Sequence, residues 1–175
     1  MTAPSRRKLK AACETLAAAD PALSRAYDEL GVPVWRVGEP CYASLCRLIA
    51  YQQLSTKAAG TIWGRTEALF GEVTPEAVLA ADPEEIRACG MSRPKVRHMM
   101  SIAEAMTTGL LDLERVCASD LDSARKELVS VKGIGPWTAE LFLLYSVGAM
   151  DAFPVGDVGL MEAHKLLSEV ETRME

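Results

Sequence analysis

The chain is poor in the residues that hold metals. It has two histidines in 175 residues, and its five cysteines (Cys13, Cys41, Cys46, Cys89 and Cys117) are odd in number, widely spaced and without a CxxC pair. Neither a zinc site nor an iron–sulfur cluster can be assembled from such a set, so no metal site is expected and the cysteines read as buried thiols of a reducing cytoplasm. Long apolar runs are also missing. The best candidate, near residues 141–150, is well short of the roughly 18 residues that cross a bilayer. The N-terminus has the basic start of a signal peptide, but Glu14, Thr15 and Asp20 interrupt what would be its apolar core. Secretion and membrane insertion are therefore not expected. Sustained alternation of apolar and polar residues is absent too, which argues against strands.

What is present is a composition for a compact body. Apolar residues make up 49% and charged residues 25%, with Gly and Pro falling singly between apolar-periodic stretches. That excludes a disordered chain and suffices for one domain or two small lobes sharing an interface. The formal charge of −5 argues mildly against nucleic acid, because neutralising phosphates needs a positive surface. The basic residues are bunched, however, at Arg6, Arg7, Lys8 and Lys10, at Arg93, Lys95, Arg97 and His98, and at Arg125, Lys126 and Lys132. One positive face on a negative molecule is compatible with that distribution.

Helical periodicity runs through most of the chain. Residues 7–19 and 22–30 read as two helices separated by Asp20-Pro21 and stopped by Gly31, with a loop over 32–37. Pro40 then opens a buried helix through Tyr51. Ser55 caps a helix over 56–70 whose inward face is expected to hold Ala59, Ile62, Trp63, Thr66 and Leu69. Thr74-Pro75 and Asp82-Pro83 each start a short helix, and Ser92 caps a longer one over 93–106. Ser119 with Asp122 resembles a capping box opening a helix with Leu121, Ala124, Leu128 and Val131 on one stripe, and with Arg125, Lys126 and Lys132 solvated.

The most informative stretch is Val131-Lys132-Gly133-Ile134-Gly135-Pro136-Trp137-Thr138-Ala139. Two glycines around one apolar residue permit a tight reversal, and proline suits the first turn of the helix that follows. The free N–H groups at such a helix start bind anions, and a phosphate suits them. Ile134 would anchor the turn while Gly133, Gly135 and Lys132 face a DNA backbone, a contact that positions without reading sequence. An ordinary helix–helix turn is the alternative. The next helix, 136–147, is apolar except at Thr138, Glu140 and Ser146, so it is expected to run through the centre. The chain then returns through Asp151-Ala152-Phe153-Pro154-Val155-Gly156-Asp157. Asp157 can simply cap the last helix. As chemistry, a carboxylate beside a phosphate-gripping element is what N-glycoside hydrolysis uses, stabilising positive charge on the sugar and orienting water once the base is rotated out of the stack. Spacing alone leaves both readings open.

Four ordered segments carry a resemblance. They are Leu48-Ile49-Ala50-Tyr51-Gln52-Gln53-Leu54-Ser55, Gly90-Met91-Ser92-Arg93-Pro94-Lys95, the hairpin through Glu140, and Asp151 to Asp157. Together they resemble the signatures of the helix-hairpin-helix DNA glycosylase superfamily, and within it the 3-methyladenine DNA glycosylase II branch. The resemblance implies an all-α, two-lobed fold with a base-binding cleft between the lobes. Its parts would be N-terminal helices (1–38) packing with the C-terminal lobe, a central helical lobe (39–118), and the helix-hairpin-helix and aspartate region (119–175). Because polar residues follow soon after Leu160, the fold reads as shortened at its C-terminus.

The resemblance also assigns roles. Asp157 is the essential carboxylate and Trp137 lies near the active site. The Gln52-Gln53 turn enters the duplex with Gln53 as the wedge, and Tyr51, Gln52 and Trp35 are the further candidates for lining the base pocket. Lys132, Gly133, Ile134, Gly135, Thr138, Ser92 and Lys95 are the DNA-facing candidates. For Trp35 a loop anchor, for Tyr51 simple packing, for Gln52 and Gln53 a helix-end polar pair, and for Ser92 and Lys95 a structural role are the competing readings. Bifunctional members carry a lysine where Trp137 stands, and an indole cannot form a Schiff base, so a monofunctional hydrolase leaving an abasic site is implied. No cofactor is expected beyond a sodium or potassium ion that hairpin carbonyls hold in some members. The expected partner is duplex DNA with alkylated bases, the expected state a monomer, and the expected location the cytoplasm, at the bacterial nucleoid. The competing function is a non-catalytic DNA-binding or damage-sensing module, or a truncated, inactive glycosylase.

Overall fold

The computed structural model describes residues 4–168, and every regular element among them is helical. The polar end read over 168–175 lies, beyond Ser168, outside the described residues. The helices are α1 (Arg6–Ala19), α2 (Pro21–Leu30), α3 (Tyr42–Tyr51), α4 (Thr56–Phe70), α5 (Pro75–Ala80), α6 (Pro83–Ala88), α7 (Arg93–Thr107), α8 (Leu113–Ala118), α9 (Leu121–Ser130), α10 (Pro136–Phe142) and α11 (Val158–Ser168), with a π turn, Leu143–Val147, continuing α10.

Local chemistry sets most boundaries. Ser5, Asp20, Ser55, Thr74, Asp82 and Ser92 each accept a hydrogen bond from a backbone N–H in the first turn of the helix they precede, a cap worth about 1 kcal/mol. Gly31 and Gly71 end α2 and α4 with φ of 69° and 70°, a left-handed value that glycine adopts without penalty.

Four sequence expectations are corrected. Asp120, not Ser119, caps α9, its Oδ1 accepting from Asp122 N and Ser123 N. Ser119 instead closes α8, a six-residue helix capped by Asp112 that the periodicity did not reveal. Leu69 is 42% exposed, so the inward face of α4 is narrower than the apolar pattern suggests. Arg125 is not a solvated residue of α9, since its guanidinium is bound by Glu140 and Asp122.

One contiguous apolar core joins α3, α7, α8, α9 and α10, running from Tyr42 to Ala152 across the boundary expected at 118–119. Leu45, Ile49, Met99, Ile102, Leu128 and Phe142 are among its fully buried large members, each contributing about 1.5–3 kcal/mol relative to exposure. α3 packs on α4, α7 and α10, which brings the C-terminus of α3 beside the N-terminus of α10. The N-terminal pair is different. Leu9 is the one buried residue of α1, and α2 has none. The pair is tied in by packing of α2 on α11, by the Arg25 guanidinium on Leu167 O, and by Gly38 N–H donating to Tyr145 O in the π turn at 2.7 Å.

Candidate functional site

Two reversals meet where α3 ends and α10 begins. The first is the α3–α4 turn. Gln53 sits at its tip, exposed, with φ of 58°, the left-handed value seen at no other non-glycine residue described. A strained backbone persists where its surroundings hold it, and here the hold comes from Lys95. Its ammonium donates to Ala50 O at 2.9 Å and Gln52 O at 2.8 Å, a cation on the carbonyls that end α3. Burial of the ammonium among these groups lowers its pKa. Behind the turn, the Gln52 amide donates to Thr138 Oγ1 at 2.9 Å.

The second reversal is the hairpin between α9 and α10. Ile134 is 3% exposed and its N–H returns to Val131 O at 3.0 Å, so the side chain pins the loop to the core. Gly133 has φ of 105°, and a Cβ there would lie 2.6 Å from Cβ of His98, so only glycine lets the hairpin rest on α7. Among the described residues the N–H groups of Gly133 and Gly135 find no acceptor, and Lys132 is exposed beside them. The His98 imidazole pKa is lowered by burial first, then by the neighbouring charges of Arg97 and Lys132.

A cavity of about 670 Å³ lies between the two reversals, walled by Tyr51, Gln52, Gln53, Trp137 and Asp157. Asp157 ends the loop that follows the π turn, and both its carboxylate oxygens are fixed. Oδ1 accepts from Leu160 N at 3.0 Å, capping α11, and Oδ2 accepts from the Trp137 indole at 2.7 Å. Gly159 leaves room for this, because a Cβ there would sit 3.0 Å from Oδ1. The carboxylate is thus a helix cap and a cavity wall at once. A larger cavity of about 820 Å³ is walled by Glu39, Glu72, Asp112 and Glu114 and contains none of these groups; its charge suits neither a phosphate nor a nucleic-acid backbone.

The predicted residues therefore separate into groups. Tyr51, Gln52, Gln53, Gly135, Trp137, Thr138 and Asp157 converge on one cavity. Trp35 is not among them: it lies in a neighbouring recess of about 520 Å³ with Leu144, Tyr145 and Phe153, which shares Asp157 and Gly159 with the first. Two DNA-facing expectations are corrected by burial, those for Thr138 and Ile134. Thr138 is 1% exposed and serves as the acceptor for Gln52. Ile134 faces the core rather than the surface. Ser92 caps α7 and the Lys95 ammonium is bound to the α3 carbonyls, contacts that belong to the structural one of the two roles read for them. Sequence reasoning missed the grip of Glu140 on the loop before Asp157, where the carboxylate accepts from Phe153 N–H at 2.8 Å. The signal was there: a lone acid on an otherwise apolar helix needs a partner.

Comparison with known proteins places this geometry. Residues 46–175 match the family model described as "HhH-GPD superfamily base excision DNA repair protein". The chain is 35% identical over 133 residues to DNA-3-methyladenine glycosylase 1 of Schizosaccharomyces pombe, covering 72% of this chain and 57% of that protein. The chain thus spans just over half the length of this curated relative, and under half of two others, 46% and 45%. Among solved structures it superposes on the S. pombe 3-methyladenine DNA glycosylase in complex with abasic DNA, with TM-score 0.85 and 32% identity over 93% of this chain and 82% of that one. A DNA-3-methyladenine glycosidase from Bacillus halodurans gives TM-score 0.73 and 35% identity over 88% and 72%. With a family model matched over most of its length and solved members of the 3-methyladenine branch sharing its backbone, the chain belongs to the HhH-GPD superfamily of base excision DNA repair proteins.

Proposed function

We propose that the chain is a monofunctional DNA glycosylase that hydrolyses the N-glycosidic bond of alkylated purines, 3-methyladenine and 7-methylguanine, in duplex DNA and leaves an abasic site. The observation that carries this reading is the Asp157 carboxylate, held by the Trp137 indole at the wall of a cavity between the hairpin and the Gln53 turn.

In this reading the free N–H groups of Gly133 and Gly135, with Lys132, take the DNA backbone. Gln53 enters the duplex from the facing turn and fills the gap left when the damaged nucleotide rotates out. As the bond from C1′ to the base nitrogen lengthens, positive charge develops on the sugar, and the Asp157 carboxylate stabilises it. Water then adds its hydroxyl to C1′, its proton passes to solvent, and a base that was cationic departs neutral. Such bases are good leaving groups, which fits a site with one carboxylate. Trp137 stands where an amine nucleophile would be needed for strand cleavage, and an indole offers none. The carbonyls of Lys132 and Gly133, which accept no backbone hydrogen bond among the described residues, are the hairpin groups that would hold a sodium or potassium ion, whose charge would favour phosphate binding there; no other cofactor enters this reading. Action as a monomer, and a place on cytoplasmic DNA, belong to the same proposal, and among the described residues no helix is long and apolar enough to cross a membrane.

The test is release of free 3-methyladenine and 7-methylguanine from methylated duplex, followed by alkali. Release with strand cutting only after alkali is expected, and Asp157→Asn should lower release by at least about 100-fold while duplex binding persists. Binding without release by the wild-type protein would favour a damage-sensing module. Strand cutting before alkali would overturn the monofunctional assignment.

A further inference from the structure

We propose that Glu140, braced by Arg125, is a positioning residue that fixes the loop presenting Asp157; the activity arm of its test rests on the glycosylase reading above.

Glu140 is the one acid between Pro136 and Val147, and its side chain is 14% exposed. A carboxylate withdrawn that far from water needs several partners to offset its desolvation. It has them on two sides. Arg125 of α9 donates through Nε to Oε1 and through Nη2 to Oε2 at 3.3 Å, the forked geometry that suits guanidinium and carboxylate. The Phe153 N–H donates to Oε2 at 2.8 Å, and Arg125 Nη2 also reaches Asp151 O at 3.4 Å. Asp122 Oδ1 takes the remaining arm of the guanidinium at 3.0 Å.

The residues held this way begin the loop that ends at Asp157. Glu140 stands three positions after Trp137, so the two side chains lie on neighbouring positions of one helix face. Trp137 grips the far end of the loop, at Asp157 Oδ2, and Glu140 grips the near end, at Phe153 N. Between the grips the chain is crossed by short turns, Val155 N to Phe153 O and Asp157 N to Pro154 O. Packing contributes little here, since Phe153 and Val155 point outward and only the small Ala152 and Pro154 are buried. The carboxylate that does the chemistry is therefore set by polar bonds from one helix. If the near grip is lost, the loop can drift by about an ångström, and such a misplacement costs on the order of 100-fold in rate.

The experiment compares Glu140→Ala and Glu140→Gln with the wild-type protein in two measurements. The first is single-turnover release of 7-methylguanine from methylated duplex alongside affinity for a duplex carrying an abasic site. The second is amide hydrogen exchange at Phe153. We expect E140A to slow release by about 100-fold with unchanged affinity, and to speed exchange at Phe153 while amides of α7 stay protected. E140Q keeps the shape and one acceptor for Phe153 N–H but loses the ion pair, so it should fall between and remain folded. Unchanged release in E140Q and E140A overturns the proposal, as does unchanged Phe153 exchange. If the wild-type protein releases no base, the glycosylase reading falls, while the exchange measurement still decides whether Glu140 fixes the loop.

Discussion

The two walls of the cleft are built by different physics. The hairpin wall stands on the core, with Ile134 and Val131 buried beneath it and Gly133 pressed on His98. The wall that carries Asp157 has outward-facing apolar side chains, Phe153 at 61% and Val155 at 77% exposure, and is held by an indole and a carboxylate from α10. Burial positions the first wall and directional hydrogen bonds position the second. The difference teaches where damage should appear: in stability on one side and in geometry on the other.

That contrast can be broken by paired substitutions. The largest effect on stability is expected at Ile134→Ala, about 2–5 kcal/mol lost, against a change within about 0.5 kcal/mol for Val155→Ala, both read by denaturant unfolding. Equal losses would show that the Asp157 wall is packed after all. A smaller effect is expected at Lys95→Met, about 1–3 kcal/mol, because two carbonyls at the end of α3 lose a charged donor. The same variant should bind an abasic-site duplex more weakly, since the Gln53 turn loses its support; unchanged affinity would show that the turn holds itself. The smallest is Lys132→Ala. It should leave unfolding unaltered, weaken binding across sequences, and reduce the slope of log affinity against log salt by about 0.9. The midpoint of His98 should rise in the same variant, as one of the cations that lowers it is removed, and NMR titration of the imidazole checks this.

Much of this was legible in the sequence because it is local. Caps such as Ser55, Asp82 and Ser92 announce helices within four residues, and Gly133 to Pro136 announces a hairpin from its own conformational needs. Asp157 was legible as a cap and, through the family resemblance, as a catalytic candidate. What stayed hidden is long-range. Lys95 reaches carbonyls more than forty positions earlier in the chain, and no pattern around it says so. Thr138 looked like a surface hydroxyl at a helix start until α3 was seen to cover it. The helix α8 escaped because six residues give too little periodicity to register. Arg125 looked solvated for the complementary reason: its partner lies on the next helix, across the hairpin.

The π turn at Leu143–Val147 has a bearing on how this site can change. It inserts additional residues into the path between the helix that grips Asp157 and the loop that bears it. Each residue of a helix turns the chain by roughly 100°, so the length of this segment works as a clutch setting the angle at which the loop departs. Its side chains Leu143 and Val147 are buried in the core, so the segment is anchored where it turns. Removing a single residue would disengage it, rotating the exit by about a quarter turn and carrying the carboxylate away from the indole that meets it.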